Sequence, residues 1–258
     1  MTALNPPILS WRGKRVWIVG ASSGIGAALA QSLLEEGASV VLSARRSDEL
    51  LAVAGSAARA TVVPFDASDT EAWKAAYQSS LASLGQIDLL ILGAARYDPM
   101  DCATLDLTSA EKSFDLNVLG VYRGLSVVIP DMLEKGGGGL ALVGSISAYT
   151  GLPRALVYGA TKAALRNLAQ TLYFELAPKG IAVYLISPGF VETPMTSKND
   201  FAMPGLMTPA QAAAAIRHGL ERGRFEIRFP RGFSSLLWWV SLLPDRLRFF
   251  LLHKITGM

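Results

Sequence analysis

Apolar and polar positions follow two different periods along this chain. Short runs such as residues 39–43 (SVVLS) are almost continuously apolar and β-branched, and between them apolar residues return every three or four positions. The runs predict strands near residues 14–19, 39–43, 61–65, 87–92, 139–144, 181–186 and 224–229. The intervening stretches predict helices near residues 24–36, 47–56, 69–84, 108–134, 155–178 and 209–221.

Apolar strands separated by helices are typical of a parallel sheet covered on both faces. The sequence contains no internal repeat and no linker-like stretch. We therefore expect one α/β domain over residues 1–258, built on a doubly wound parallel sheet of about seven strands. Within it, we expect residues 190–207 to form a substrate loop and residues 231–258 to form an apolar C-terminal extension.

Composition narrows the class of protein. Hydrophobic residues make up 51% of the chain and charged residues 17%, which supplies a large core and argues against disorder. The net charge of +3 is too small to predict a nucleic-acid partner. A single cysteine, Cys102, excludes an internal disulfide framework, and we see neither a secretory signal pattern nor an apolar run of about 18 residues. These features predict a cytoplasmic protein.

A glycine-rich turn, GASSGIG at residues 20–26, lies between the first strand and the first helix. In such a turn, backbone N–H groups and the helix N-terminus can bind a pyrophosphate. Gly20 would permit the tight turn, Gly24 would let the phosphates approach, and Gly26 would let the helix pack closely on the sheet. A plain strand-to-helix connection is the alternative.

The residues after the second and third strands bear on which dinucleotide is bound. A site that prefers NAD usually has a carboxylate after the second strand, whereas this chain has Arg45 and Arg46. Guanidinium groups bind a 2′-phosphate, so we predict NADP over NAD, unless these arginines are simply solvated. Asp66 would lie at the adenine edge or, with Asp69, would only cap the next helix.

Tyr158 and Lys162 are four residues apart in a predicted helix and would share one face. A nearby ammonium favours the phenolate, so we expect the pKa of Tyr158 to fall from about 10. Such a phenol is a candidate acid/base for a carbonyl–alcohol pair. The spacing alone is common, but Ser145 ends the fifth strand shortly before it.

Taken in order, Gly20-x-x-x-Gly24-Ile25-Gly26, Asn117, Ser145, Tyr158, Lys162 and Pro188-Gly189 resemble the short-chain dehydrogenase/reductase family in its single-domain form. The resemblance runs from about Lys14 to Met195. It implies a Rossmann-type sheet and hydride transfer between a nicotinamide and a carbonyl or alcohol carbon.

The resemblance also implies roles for individual residues. Tyr158 would be the general acid/base, and Lys162 would bind the nicotinamide ribose and lower the tyrosine pKa. Ser145 would bind the substrate oxygen, and Asn117 would position a water in the proton relay. The implied cofactor site comprises Gly20, Ser22, Ser23, Gly24, Ile25, Gly26, Arg45, Arg46, Asp66, Ala94, Tyr158, Lys162, Pro188, Gly189, Val191 and Thr193.

Two positions depart from the family pattern. Val19 stands where the family usually has Thr, and Leu92-Gly93-Ala94-Ala95 stands where it usually has Asn-Asn-Ala-Gly. We expect these changes to affect local stability and the geometry of the cofactor loop. A nucleotide-binding regulatory or scaffold protein with little turnover is the alternative function.

Other chemistries receive little support. The only histidines, His218 and His253, lie far apart without carboxylates at ligand spacing, so we predict no metal site. Ser145 lacks the G-x-S-x-G pattern, which makes a serine hydrolase the weaker enzyme hypothesis.

The C-terminal extension combines large apolar and aromatic residues with basic ones, and Pro244 predicts a break between two short helices. This composition suits a lid over an apolar pocket, a subunit interface or peripheral contact with a membrane. In each case it favours a small, lipophilic carbonyl or alcohol as substrate. We also expect a homodimer or homotetramer.

Overall fold

A parallel sheet of seven strands forms the centre of the protein in a computed structural model that describes residues 3–256. The strand order is β3-β2-β1-β4-β5-β6-β7, and every neighbouring pair is parallel. The strands are β1 (Arg15–Val19), β2 (Ser39–Ser43), β3 (Ala60–Val62), β4 (Leu89–Leu92), β5 (Gly138–Val143), β6 (Ile181–Pro188) and β7 (Glu226–Phe229).

Helices cover both faces of this sheet. They are α1 (Gly24–Glu35), α2 (Ser47–Ala54), α3 (Thr70–Leu84), α4 (Leu107–Phe114), α5 (Gly120–Lys135), α6 (Tyr158–Leu176), α7 (Pro209–Glu221), α8 (Arg231–Ser241) and α9 (Asp245–Thr256). One hydrophobic core lies beneath α1 and α7, and a second lies beneath α3, α5 and α6. The predicted doubly wound α/β fold is confirmed.

The strand order reverses between β1 and β4. From β1 the chain proceeds outward through β2 and β3, and it then returns to β4 on the other side of β1. In a doubly wound sheet, this reversal opens a crevice at the carboxyl ends of the two strands, where ligands bind. The glycine-rich turn follows β1 and therefore lies at this crevice.

Some element boundaries differ from those predicted. The edge strand β3 is Ala60–Val62 instead of 61–65, although Val63 and Phe65 beyond its end still donate to the carbonyl oxygens of Leu42 and Ala44. The predicted helix at 108–134 is α4 and α5 joined by a π-helical turn, Asp115–Leu119. The helix predicted from residue 155 begins only at Tyr158.

Among residues 3–256, one continuous helical stretch, Leu107–Lys135, is long and apolar enough to cross a membrane, judged by its length and composition alone. This differs from our expectation that no segment would reach that length. Its residues Val121, Leu125, Val128 and Met132 are buried in the core beneath α5. We therefore interpret it as a core helix of the domain.

The C-terminal helices α8 and α9 flank Pro244, as the sequence predicts. Their buried residues Leu237, Val240 and Leu252 pack around Ile146 in a hydrophobic cluster separate from the two main cores. This cluster joins the extension to the segment that follows β5. The extension is thereby placed beside the carboxyl end of the sheet.

Candidate active site

The glycine-rich turn is packed so tightly that Gly20 and Gly26 have no space for a side chain. Gly20 has φ +97°, and a Cβ atom there would lie 2.5 Å from the backbone nitrogen of Ala94. A Cβ atom on Gly26 would lie 2.1 Å from the carbonyl oxygen of Gly20. Gly20 thus permits the turn, and Gly26 permits close packing of α1 against it.

The N-terminus of α1 opens into the crevice. Ser23 is the N-cap residue, but its side chain makes no capping hydrogen bond, and the first turn carries no acidic residue. The first N–H groups of a helix have no partner within the helix, so these groups can bind an anion. The turn therefore fits the pyrophosphate of a dinucleotide.

A cleft extends from this turn across the carboxyl ends of the strands. All the residues that the sequence assigned to cofactor binding line it, namely Gly20, Ser22, Ser23, Gly24, Ile25, Gly26, Arg45, Arg46, Asp66, Ala94, Tyr158, Lys162, Pro188, Gly189, Val191 and Thr193. Phe65, Ala67 and Leu116 also line the cleft without having been predicted from the sequence. Their apolar side chains carry no motif that could have identified them.

The end of the cleft near β2 is basic. Arg45 is exposed there, whereas the Arg46 guanidinium lies 2.6 Å from Oε1 of Glu49 and donates to Ser22 Oγ at 3.3 Å. Burial opposes ionisation of Asp66, yet hydrogen bonds from Ser68 and the charge of Arg45 hold the pKa of Asp66 below its ordinary value. Asp69 caps α3 through the N–H groups of Glu71 and Ala72, which leaves Asp66 facing the cleft.

Tyr158 and Lys162 lie at the other end of the cleft, on the first turn of α6. Lys162 is 2% exposed and donates from Nζ to the carbonyl oxygen of Val143 at 2.8 Å. Its Nζ atom lies 5.5 Å from the centroid of the Tyr158 ring. The predicted helical stacking of the pair is therefore present in the structure.

The pKa of Tyr158 shifts in the opposite direction from the one predicted. Burial raises it above its ordinary value, and a hydrogen bond with Ser145 only partly offsets this effect. Burial also lowers the pKa of Lys162 to about 8, so its ammonium is charged only below about that pH. Desolvation is therefore the dominant influence on the pKa of both groups.

Ser145 lies immediately beyond β5 and is 9% exposed. Its Oγ accepts hydrogen bonds from the backbone N–H of Ser147 at 3.1 Å and from the Ser147 hydroxyl at 3.0 Å. These bonds fix the rotamer of Ser145 and leave its own proton to donate. Ser145 can therefore orient an oxygen atom beside Tyr158.

Asn117 is buried in the π-helical turn and does not line the cleft. Its Oδ1 accepts from the Arg96 N–H at 2.7 Å, and its Nδ2 donates to the Arg96 carbonyl at 2.9 Å and to Thr161 Oγ1 at 3.1 Å. The side chain thus joins the segment after β4 to α6, next to Lys162. The side-chain amide is thus bound to protein atoms, and the role of positioning a water stays a prediction.

The substituted stretch after β4 is held by the backbone and by Asn117. The N–H of Gly93 donates to the carbonyl of Val19 at 2.8 Å, and Leu92 is buried in the core. Asn117 fixes Arg96 three residues further on. These contacts stabilise the stretch without the asparagines that the family usually has there.

A second, apolar cavity of about 650 Å³ meets the cleft at Tyr158 and Ser145. Its wall combines the predicted substrate loop with the C-terminal helices through Phe190, Met195, Phe201, Met203, Phe233, Leu237, Leu252 and Ile255. The ring of Tyr97 also lines this cavity and contacts the Tyr158 ring edge-on, with 5.0 Å between centroids. The Tyr158 ring therefore lies where the cleft and the apolar cavity meet.

The substrate loop is held over this cavity by polar contacts. Lys198 Nζ lies 2.9 Å from the carbonyl oxygen of Tyr97 and 3.0 Å from Asp98 Oδ1. The Tyr97 hydroxyl donates to Asn199 Oδ1 at 2.7 Å, and Arg154 pairs with Asp200. Because these bonds are exposed or only partly buried, opening the loop would exchange them for bonds to water at modest cost.

A half-buried polar cluster lies behind Ser145 and was not predicted from the sequence. Glu226 Oε1 accepts from Tyr149 Oη at 2.7 Å, Arg166 Nη1 at 2.8 Å and Ser187 Oγ at 2.9 Å. These residues come from β7, α6, β6 and the segment after Ser145. The cluster therefore joins the elements that carry Ser145 and Pro188, although no local spacing signals it.

Metal chemistry has no candidate site in the part of the chain that the structure describes. Residues 3–256 bring together no group of three His, Cys, Asp or Glu side chains that could hold a metal ion.

Comparison with known proteins gives several matches over most of the chain. The family model described as short chain dehydrogenase matches residues 14–203. An uncharacterized oxidoreductase of Myxococcus xanthus is 32% identical over 234 residues, which cover 89% of this chain and 92% of that protein. An uncharacterized oxidoreductase of Staphylococcus aureus is 33% identical over 205 residues, which cover 79% of this chain and 89% of that protein.

Solved structures give the same result. A short-chain dehydrogenase from Streptomyces avermitilis has a TM-score of 0.81 at 28% identity and covers 95% of this chain and 98% of its own. A 3-ketoacyl-(acyl-carrier-protein) reductase from Brucella melitensis, complexed with NADH, has a TM-score of 0.79 at 27% identity. The match covers 86% of this chain and 99% of that chain. With the fold and the family match in agreement, this chain belongs to the short-chain dehydrogenase family of oxidoreductases.

Proposed function

We propose that this oxidoreductase uses NADP(H) to interconvert a carbonyl and an alcohol on a small, lipophilic substrate. The observation that carries the proposal is the position of Tyr158 and Ser145, which line both the cofactor cleft and the apolar cavity. A substrate oxygen in the cavity would meet these hydroxyl groups where the two spaces join. Nicotinamide cofactors accompany related folds, since one similar structure was solved with NADH.

In this proposal, one residue of the chain transfers the proton, and others bind or orient the substrate and the cofactor. When bound, the cofactor supplies or accepts the hydride. Tyr158 gives a proton to the carbonyl oxygen, or takes it from the alcohol, while Ser145 orients that oxygen. Lys162, held by the Val143 carbonyl, would bind the ribose hydroxyl groups.

The preference for NADP rests on Arg45. Arg46 already pairs with Glu49, whereas Arg45 is exposed where the cleft passes β2. A guanidinium there would form paired, charge-assisted hydrogen bonds with a 2′-phosphate.

A lipophilic substrate follows from the lining of the second cavity. Aromatic, leucine and methionine side chains form most of its wall, and its volume falls in the range of small-molecule sites, about 300–1,000 Å³. A sugar or another strongly hydrated substrate would lose hydrogen bonds to water there without replacement.

We also propose that the protein is cytoplasmic and assembles as a homodimer or homotetramer. Support for assembly comes from exposed apolar residues on α4, the π turn and α5, including Leu107, Leu119 and Tyr122. An exposed apolar patch of this kind is typical of a subunit contact. Sedimentation velocity measures the mass directly, and a monomer at micromolar concentration would contradict this part of the proposal.

Replacing Tyr158 with Phe tests the catalytic assignment. We expect NADPH-linked reduction of a panel of ketones and aldehydes to fall at least about a hundredfold, because the proton donor is removed. NADPH binding, measured by fluorescence titration, should change little. The matched control is Tyr173→Phe, whose hydroxyl donates to the carbonyl of Leu4 and lies outside both cavities.

Two outcomes would contradict the assignment. Activity retained in Tyr158→Phe would show that another group supplies the proton. Tight NADPH binding by the wild type, without turnover of any carbonyl or alcohol, would favour the alternative of a nucleotide-binding regulatory protein.

A further inference from the structure

The helices α8 and α9 have two different faces. Their inner face contributes Phe233, Leu237 and Leu252 to the wall of the apolar cavity. Their outer face carries large apolar side chains that are each about half exposed, namely Leu236, Trp239, Leu242, Leu247, Phe249 and Phe250. So many exposed apolar side chains within a short segment are unusual for a surface that faces only water.

The outer face is also positively charged. Within residues 231–256 the basic residues Arg231, Arg246, Arg248 and Lys254 accompany a single carboxylate, Asp245. Cations lie over the exposed rings: the Arg248 guanidinium is 5.2 Å from the Phe249 centroid, and Lys254 Nζ is 4.8 Å from the Phe250 centroid. Apolar and cationic groups are therefore interleaved across one surface.

We propose that this outer face binds the surface of an anionic lipid bilayer, with α8 and α9 lying in the headgroup region. Aromatic and leucine side chains beside basic ones are the pattern of helices that lie in this interface. The two helices contain 11 and 12 residues, so each extends less than about 20 Å, too short for a hydrocarbon core of about 30 Å.

A second copy of the chain fits this surface less well. In a two-fold contact, the same patch meets itself, so the basic residues of both copies would face one another. The single carboxylate Asp245 already pairs with Arg248 and could not balance them. An anionic bilayer supplies the complementary charge and the apolar phase together.

Docking in this way would place the cavity wall against the membrane. Leu252 and Ile255 of α9 line the cavity, while Phe249 and Phe250 on the same helix face outward. A lipophilic compound could then pass between the lipid and the cavity beside one helix. This access route rests on the proposed function, whereas the docking itself requires neither cofactor nor substrate.

Co-sedimentation of the full chain with vesicles tests the docking. We expect wild type to bind vesicles of phosphatidylcholine and phosphatidylglycerol in equal parts, and to bind pure phosphatidylcholine much less. Replacing Leu236 and Leu242 together with Ser should lower the partition coefficient at least about tenfold. The matched control is Leu9→Ser with Leu51→Ser, which are 93% and 57% exposed outside the extension and should leave binding unchanged.

Charge variants test the electrostatic part of the interaction. Because each basic residue near an anionic surface contributes about 1 kcal/mol, Arg246→Gln and Lys254→Gln should each weaken binding about fivefold. Lys179→Gln, at an exposed lysine in the turn that follows α6, is the control. Raising the salt concentration should release the wild type.

A measurement on the folded wild type avoids dependence on variant stability. Brominated phospholipids in the anionic vesicles should quench tryptophan fluorescence, and Trp239→Phe should remove most of the quenching while binding persists. The proposal would be overturned if the wild type stayed in the supernatant with anionic vesicles, or if the control pair Leu9→Ser and Leu51→Ser lost as much vesicle binding as the outer-face pair. It would also be overturned if the outer-face variants lowered the oligomer mass and the wild type bound no vesicles. Turnover of a water-soluble carbonyl without vesicles tests the proposed function separately.

Discussion

Lys162→Met should stabilise the protein while it abolishes activity. Lys162 is almost fully buried, and apart from the Val143 carbonyl its head group lies in a desolvated environment. Burial lowers its pKa from 10.5 to about 8, which corresponds to a cost of about 3 kcal/mol for keeping the ammonium charged in the folded state. Met removes this cost but loses one hydrogen bond of about 1 kcal/mol. The variant should therefore gain about 2 kcal/mol at neutral pH.

The pH dependence of this gain follows from the sign of the shift. Below about pH 8 the lysine is charged in both folded and unfolded chains, so the cost is fully present. Between about pH 8 and 10.5 the folded state loses its proton first, and the cost falls. The advantage of Lys162→Met should thus shrink with rising pH and disappear before pH 10.5, once the remaining cost equals the about 1 kcal/mol of the lost hydrogen bond.

Urea unfolding of the cofactor-free protein at several pH values measures this difference. Lys179→Met, at an exposed lysine, is the control and should change the free energy of unfolding by less than about 0.5 kcal/mol. A Lys162→Met variant that is less stable at neutral pH, or whose advantage does not depend on pH, would refute the reasoning. NADPH-linked activity should be lost in the same variant, because the group that we expect to bind the ribose is absent.

Three further predictions follow from contacts described above. Arg45→Asp should raise the KM for NADPH at least about tenfold and change that for NADH little, since a carboxylate repels the 2′-phosphate. Gly26→Ala should impair folding or cofactor binding, because its Cβ would lie 2.1 Å from the Gly20 carbonyl oxygen. Glu226→Ala should lower the free energy of unfolding by about 2–4 kcal/mol, as it leaves Arg166 and two hydroxyl groups without their acceptor.

Each of these has a control and a contrary result. Arg12→Asp makes the same charge change on the exposed surface outside the cleft, and an equal effect on KM would make the Arg45 effect nonspecific. Wild-type stability and NADPH affinity in Gly26→Ala would show that the turn can relax. For Glu226, the isosteric Gln variant should retain much of the stability, and equal losses for Ala and Gln would shift the explanation from hydrogen bonds to charge.

The sequence predicts the sheet well because the strands are buried on both faces and therefore read as continuous apolar runs. The motif residues are predictable for a different reason: each occupies a fixed place at the carboxyl end of a strand or on the first turn of a helix. Gly26, Ser145 and Tyr158 could be placed from the predicted strands and helices together with the family resemblance.

What the sequence could not show depends on contacts between distant residues. The Glu226 cluster joins residues 149, 166, 187 and 226, which no local period relates. The direction of the Tyr158 pKa shift depends on how deeply α6 buries its first turn, whereas the spacing to Lys162 suggested the reverse. The π-helical turn around Asn117 likewise depends on bonds to Arg96 and Thr161.

The construction of the cavity wall has a consequence for how this protein could diversify. The helices α8 and α9 follow the last strand, so their sequence can change without disturbing strand pairing or the glycine turn. The part of the cavity wall that α8 and α9 supply is thus encoded apart from the residues to which we assign the chemistry. Grafting residues 231–258 from one relative onto another should transfer a preference for substrate shape while the nucleotide preference stays with the recipient.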